Sequence, residues 1–203
     1  IDILHTHSFR PNLNGRMAGL VLRPSGLNLV AHYHNDYTDK WTAEAVLLEQ
    51  RLAKVTDAGL AVSAPVAGHV AERVGLVCEL AENAIDRDRV MGGDRMAGRV
   101  ALGIGDDDVA VGLVGRVCRQ KGVDTFVEAA IACLAKRPDM CFVIIGDAED
   151  RDLQARMTAR IEAAGWPDRI RFAGHRDDIA DVLAALDLLA APSRWEGFGL
   201  MLV

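Results

Sequence analysis

Short apolar runs and helix-period stretches succeed one another along this chain. Ile1-Asp-Ile-Leu-His5 reads as a buried strand, and an extended backbone puts His5 and His7 on one face of it. Residues 13–22 fit a helix closed by Pro24 and Gly26. Residues 27–33 form the next strand, ending in His34-Asn-Asp-Tyr-Thr38. Ala45, Leu48, Leu52 and Val55, three and four apart, predict an amphipathic helix. Residues 60–62 are a strand, and Ser63 is placed to cap a helix carrying Val66, Val70 and Val74. A short strand at 77–80 follows. This alternation predicts parallel βαβ units.

Residues 87–108 break the pattern. They are rich in Gly, Asp and Arg, lack a sustained apolar period, and read as an interdomain connection. From Val109 the alternation resumes. Strands are expected at 109–114, 140–145, 169–172 and 187–190, with helices carrying Val123, Phe126, Val127, Ala130, Ile131 and Leu134, then Leu153, Met157 and Ile161, then Ile179, Val182, Leu183 and Leu186. The expected organisation is α/β: two domains with parallel sheets, each partly present, at residues 1–90 and 109–203, joined by a linker at 91–108.

Half of the 203 residues are apolar, enough for one domain or parts of two. A net charge of −6 argues against a nucleic-acid partner. Cys78, Cys118, Cys133 and Cys141 show no Cys-x-x-Cys spacing and read as reduced thiols of a cytoplasmic protein. No apolar run is long enough to span a membrane. The chain starts in mid-strand without Met, so a piece of a longer chain is expected.

Candidate chemistry lies in two turns of the second half. At the end of the chain, Pro192-Ser193-x-x-Glu196-Gly197-Phe198-Gly199 carries a short strand into a turn. Its glycines let backbone N–H groups approach a ligand, and Glu196 adds a carboxylate. Earlier, Gly115-Arg116-Val-Cys-Arg-Gln-Lys121-Gly122 follows a buried strand and precedes a helix with Asp124 near its start. Arg116 can grip a diphosphate bidentately and Lys121 adds a mobile charge. By itself each turn also fits a plain strand-to-helix connection.

Together these motifs resemble the family 4 retaining glycosyltransferases, whose two Rossmann-like domains face a cleft (the GT-B architecture). In that family the Glu opens a Glu-x7-Glu motif whose second Glu would fall at position 204, one past Val203. The resemblance implies that Arg116 and Lys121 hold the donor diphosphate in place of a metal. Glu196 would hold sugar hydroxyls, with Gly197, Phe198 and Gly199 binding the donor sugar through N–H groups. His7 would bond that sugar from the opposite domain, making Glu196 and His7 the catalytic pair. Arg171-Phe-Ala-Gly174-His175-Arg176 is similar to the family's Phe-x-Gly segment, which assigns His175 and Arg176 to the nucleotide base; a solvated turn is the alternative.

The implied reaction moves a sugar from a nucleotide-diphosphate-sugar donor (UDP, GDP or ADP type) to a sugar or lipid-linked acceptor, such as a cell-surface glycan or lipid precursor. Configuration would be retained, with no metal and no cofactor. The expected location is cytoplasmic, with peripheral contact at the inner membrane face. As a piece, the chain alone is expected to be inactive and to leave apolar side chains exposed.

The competing reading starts from the histidines. His5-Thr-His7 also resembles the metal-binding His-x-His of metal-dependent hydrolases, and His32 and His34 repeat the spacing at a second strand end. It leaves everything after residue 108 unexplained. Asp106-Asp-Asp108 superficially matches a metal–nucleotide Asp-x-Asp, but its place before a buried strand suits a solvated acidic turn. No Gly-x-Gly-x-x-Gly follows an early strand, against a dehydrogenase.

Overall fold

The structure, a computed structural model, describes residues 1–36 and 41–203. Tyr37 and Thr38, the end of the segment after the second expected strand, lie outside the described residues. The chain divides into two units: Ile1–Ala84 with Glu196–Leu200, and Ile85–Trp195 with Met201–Val203.

In the first unit, strands β1 (Ile3–His7), β2 (Asn28–Tyr33), β3 (Ala58–Ala61) and β4 (Cys78–Leu80) form a parallel sheet in that order. They alternate with helices α1 (Phe9–Leu22), α2 (Ala43–Ala53) and α3 (Ala64–Val74). Helix α3 forms as its sequence dictates. Ser63 Oγ accepts from Val66 N at 3.5 Å, and Gly75 closes the far end in the left-handed region at φ 77°. Val66, Val70 and Val74 are buried against Ala31, Tyr33, Trp41 and Ala61.

Helix α1 starts at Phe9, four residues before the expected start, and its buried face is polar. It buries Asn12, Arg16 and Gly19, while Met17, Leu20, Val21 and Leu22 are exposed. The cause is a polar core. Arg16 Nη2 donates to Glu49 Oε2 at 2.5 Å, Arg16 Nη1 to Thr56 Oγ1 at 3.0 Å, and Tyr33 Oη to Glu49 Oε2 at 2.8 Å. Arg16 and Glu49 are fully buried. Desolvation, the Glu49 charge and the hydrogen bond to it push the Tyr33 hydroxyl far up, so it stays a donor.

In the second unit, strands β5 (Val109–Val114), β6 (Met140–Ile145), β7 (Ile170–Gly174) and β8 (Leu188–Leu189) form a parallel sheet ordered β7-β6-β5-β8. Val111, Leu113, Phe142 and Ile144 pack with helices α6 (Val123–Leu134) and α7 (Arg151–Ala163). Ala110, Cys141, Val143 and Ile145 pack with Leu102, Ile104, Val182 and Ala185. Burial on both faces is why β5 and β6 read as continuous apolar runs.

The segment expected as a linker is instead helical. It holds α4 (Arg87–Val90) and α5 (Arg95–Leu102), and α5 packs on α8 (Ile179–Ala185) within the second unit. Buried Arg99 replaces an apolar seam. Its Nη2 donates to the carbonyls of Gly105 and, at 2.7 Å, Asp108, and its Nη1 to Ala185 O at 3.2 Å. Asp108 is tied as well, accepting from Arg169 Nη1 at 2.5 Å and Gly105 N at 2.9 Å. Only Asp106 and Asp107 of the acidic run are exposed to solvent.

A Cβ at Gly98 would stand 2.1 Å from the Asp181 carbonyl oxygen. Gly98→Ala is therefore expected to lower stability by roughly 1–3 kcal/mol, read from the denaturation midpoint. Gly68 in α3 has nothing within 4 Å of its added Cβ. Gly68→Ala should instead stabilise by about 0.5–1 kcal/mol. Equal effects at the two sites would contradict the close α5–α8 approach.

Candidate functional site

In the second unit, β5 and β6 run into Gly115 and Gly146, and β7 ends at Gly174. Gly115 N donates to Ile145 O and Gly146 N to Gly174 O, both at 2.8 Å. A Cβ at Gly146 would stand 2.2 Å from Gly115 O, so these backbones touch where only glycine fits. Ligands of open parallel sheets bind beyond such carboxyl ends. Arg116 is exposed there and paired with Glu149. Lys121 lies alongside, and a Cβ at Gly115 would be 3.2 Å from Lys121 Cε. Arg116 and Lys121 thus sit together at the end of β5.

Gly122, at φ 66°, turns the chain into α6, whose N-terminus directs amide dipoles outward. A Cβ at Gly122 would stand 2.1 Å from Pro192 O. Beside it, Arg194 N donates to Gln120 O at 2.8 Å and Gln120 Nε2 to Trp195 O at 3.1 Å. Arg194 grips Asp124 with two bonds of 3.0 and 2.7 Å, which holds the Asp124 carboxyl below its ordinary range. The two motif turns are therefore laced together as far as Trp195. Arg194 and Asp124 are the positioning pair that the motif reading missed. Arg194 stands in an unspecified position of the signature, and only its partner's place at a helix start hinted at it.

His175 and Arg176 follow β7. His175 is exposed between Asp147 and Asp177, 3.4 and 3.2 Å away. Arg176 is held by Asp178 through bonds of 2.8 and 2.5 Å. Both side chains are engaged with carboxylates of their own surroundings.

In the first unit, Glu196–Leu200 form a turn placed by contacts within that unit. Ser63 Oγ donates to Gly197 O at 2.6 Å, and Phe198 packs against the Val66–Val70–Val74 core. Gly197 is buried, and a Cβ there would be 1.9 Å from His34 O. Gly199 is left-handed at φ 77°.

Parallel pairing of β1 with β2 sets His7 opposite His32. The four rings form one array, with centroids 4.2 Å apart for His5–His7 and His32–His34 and 5.1 Å for His7–His32. His7 Nδ1 and His34 Nε2 share a hydrogen bond at 2.9 Å. Desolvation, reinforced by the imidazoles of His34, His7 and His5, pushes His32 down to about 4, weakly opposed by the Ala81 backbone. His5 and His34 are lowered for the same reasons, desolvation first. Directly after His7, Ser8 adopts φ 68° and ψ 172°, a conformation nearly confined to glycine and costing about 1–3 kcal/mol. Ser8 N donates to His32 O, and buried Asn12 Nδ2 donates to the same carbonyl at 3.0 Å, which fixes the turn.

Residues 108–203 match the family model described as glycosyl transferases group 1. Among curated relatives, a lipopolysaccharide core biosynthesis mannosyltransferase LpsB of Rhizobium meliloti is 43% identical over 109 residues, 53% of this chain and 31% of that protein. A D-inositol 3-phosphate glycosyltransferase of Geodermatophilus obscurus is 32% identical over 200 residues, 80% of this chain and 44% of that protein. The chain thus spans less than half the length of these relatives. The crystal structure of Anabaena Alr3699/HepE in complex with UDP and glucose superposes with a TM-score of 0.87 at 23% identity, covering 98% of this chain and 55% of that one. The α/β fold of this chain, with its two parallel four-stranded sheets, superposes on that structure.

Proposed function

We propose that this protein is a retaining glycosyltransferase that moves a sugar from a nucleotide-diphosphate-sugar donor to a sugar or lipid-linked acceptor. The observation that carries this reading is the Arg116–Lys121 pair at the carboxyl end of β5, ahead of α6 and laced to the Pro192–Trp195 turn. It lies inside the stretch that matches the family model.

Negative charge grows on the leaving diphosphate as the sugar–phosphate bond breaks. Arg116, Lys121 and the α6 N-terminus supply the opposing charge, a task that a metal performs elsewhere. Glu196 accepts from sugar hydroxyls, the N–H groups of Gly197, Phe198 and Gly199 donate to the sugar, and His7 bonds it as well. His175 and Arg176 are assigned to the base, which requires Arg176 to leave Asp178 or to present its backbone. The lipopolysaccharide mannosyltransferase's name favours a cell-surface or lipid-linked acceptor, whereas the D-inositol 3-phosphate glycosyltransferase's name points to a small phosphorylated one. Among the described residues no helix is long and apolar enough to cross a membrane, so work at the inner membrane face would rest on surface contact.

The hydrolase reading of His5 and His7 draws on the first unit alone and leaves the family match unexplained. A panel of UDP-, GDP- and ADP-sugars, with and without chelator, separates the two. In the full-length protein, transfer is expected to release nucleoside diphosphate, keep the anomeric configuration by NMR and persist in the presence of chelator. Chelator-sensitive hydrolysis with no donor turnover would reverse the choice.

A further inference from the structure

Strand register concentrates imidazoles in the first unit more densely than the proposed transfer requires. His5 and His7 alternate with buried Thr6 along β1, so both project from the face opposite α1, and pairing adds His32 from β2. One ring nitrogen from each of His5, His7 and His32 lies within 4.8 Å of the others. A tetrahedral ion with metal–nitrogen bonds of about 2.0–2.1 Å needs its ligand nitrogens roughly 3.4 Å apart. Small side-chain rotations close that gap, and His5 and His7 are exposed, with the other imidazoles of the array as their ring neighbours.

His32 provides an independent sign. It is only 8% exposed, yet neither ring nitrogen has a well-formed hydrogen bond, the Ala81 backbone offering only a weak contact. A buried polar group left without a partner costs about 1–3 kcal/mol, and proteins seldom keep one without a use. His34 adds orientation, because its hydrogen bond to His7 Nδ1 holds the ring of that ligand. Three neutral imidazoles with no carboxylate among them suit a borderline transition-metal ion and not magnesium or calcium.

We infer that His5, His7 and His32 form a binding site for a divalent transition-metal ion of the zinc class, with His34 orienting His7 and one coordination position left for water. The site is separate from the diphosphate clamp, which uses Arg116 and Lys121. Occupancy takes up the imidazole assigned to the donor sugar, so the ion inhibits transfer; this last step rests on the role proposed for His7, whereas binding does not.

The test is titration of the chelator-treated full chain with Co²⁺ and Zn²⁺ at neutral pH. Co²⁺ should give one intense visible band set per chain, displaced by one equivalent of Zn²⁺, with an imidazole-only nitrogen shell in X-ray absorption. His5→Gln, at an exposed position, should weaken binding by at least about tenfold, and His7→Gln likewise. Cys133→Ser, at an exposed thiol elsewhere, should change nothing. No saturable binding, sulfur in the metal shell, or unchanged affinity in His5→Gln would overturn the site. Binding without inhibition of transfer would leave the site standing and remove His7 from the reaction, so the two readings fail separately.

Discussion

In the full-length protein, Arg116→Ala and Lys121→Ala are each expected to cut sugar transfer by about two to three orders of magnitude. That is the loss found when one pre-organised stabiliser of developing charge is removed, roughly 3–4 kcal/mol. The loss should fall on kcat as well as kcat/KM, because the diphosphate carries more charge on these groups as the bond breaks than before. Stability is the control. Arg116 is exposed and its partner Glu149 equally so, and a surface pair of that kind contributes about 0–1 kcal/mol. Arg116→Lys keeps the charge but loses the planar fork, and should recover only part of the rate. Near-normal turnover in Arg116→Ala would place the clamp elsewhere. A matching fall in melting temperature would mean that folding, and not chemistry, had been damaged.

What could be read from the sequence depended on how local each cause is. β5 and β6 were legible because burial on both faces leaves an unbroken apolar run, and α3 because its valines recur every four residues between a serine cap and a glycine stop. α1 was legible as a helix, though from residue 13 and not from Phe9, and which face it buries was not legible. Its inward residues answer Glu49 and Thr56, 33 and 40 positions along the chain, and no period within α1 reveals them. The helices of the 87–108 stretch, expected as a connection, were hidden for a related reason. Gly93, Gly98 and Arg99 look like linker composition, yet a Cβ at either glycine would collide with the α8 backbone, and the Arg99 side chain is buried.

The site divides in the same way. A strand followed by Gly-Arg-x4-Lys-Gly and a helix is a local arrangement, so that Arg116 and Lys121 lie beyond the end of β5 was legible, while their role came from the resemblance. The Arg194–Asp124 grip joins residues 70 apart, and only folding shows that it aligns the two turns. The histidine array lies between these cases. Two His-x-His spacings were visible, but strand register was needed to set His7 beside His32.

The second large effect concerns stability and should appear in Glu49→Ala. Arg16 and Glu49 have no exposed side-chain surface, and the carboxylate also accepts from the Tyr33 hydroxyl. Removing Glu49 strands a buried guanidinium that keeps only Asn12 O and Thr56 Oγ1, at 2.7 and 3.0 Å. Breaking one side of such a pair costs about 3–5 kcal/mol, against a typical domain stability of about 5–15. Urea unfolding followed by hydrogen exchange at the β2 amides should therefore show the first unit open or nearly so. The pair itself need not be strongly stabilising, since desolvation of both ions offsets much of their attraction. Glu49 Oε1 has no hydrogen-bond partner, which adds to that cost. The double variant Arg16→Met with Glu49→Leu removes both charges and refills the volume, and should recover most of the loss while Tyr33 gives up one bond worth about 1 kcal/mol. A double variant as unstable as Glu49→Ala would mean that the ionic contact itself, and not the avoidance of a lone buried charge, holds α1 against the sheet. A single variant within about 1 kcal/mol of the parent would mean that water reaches Arg16 and that the polar core is less closed than its geometry shows.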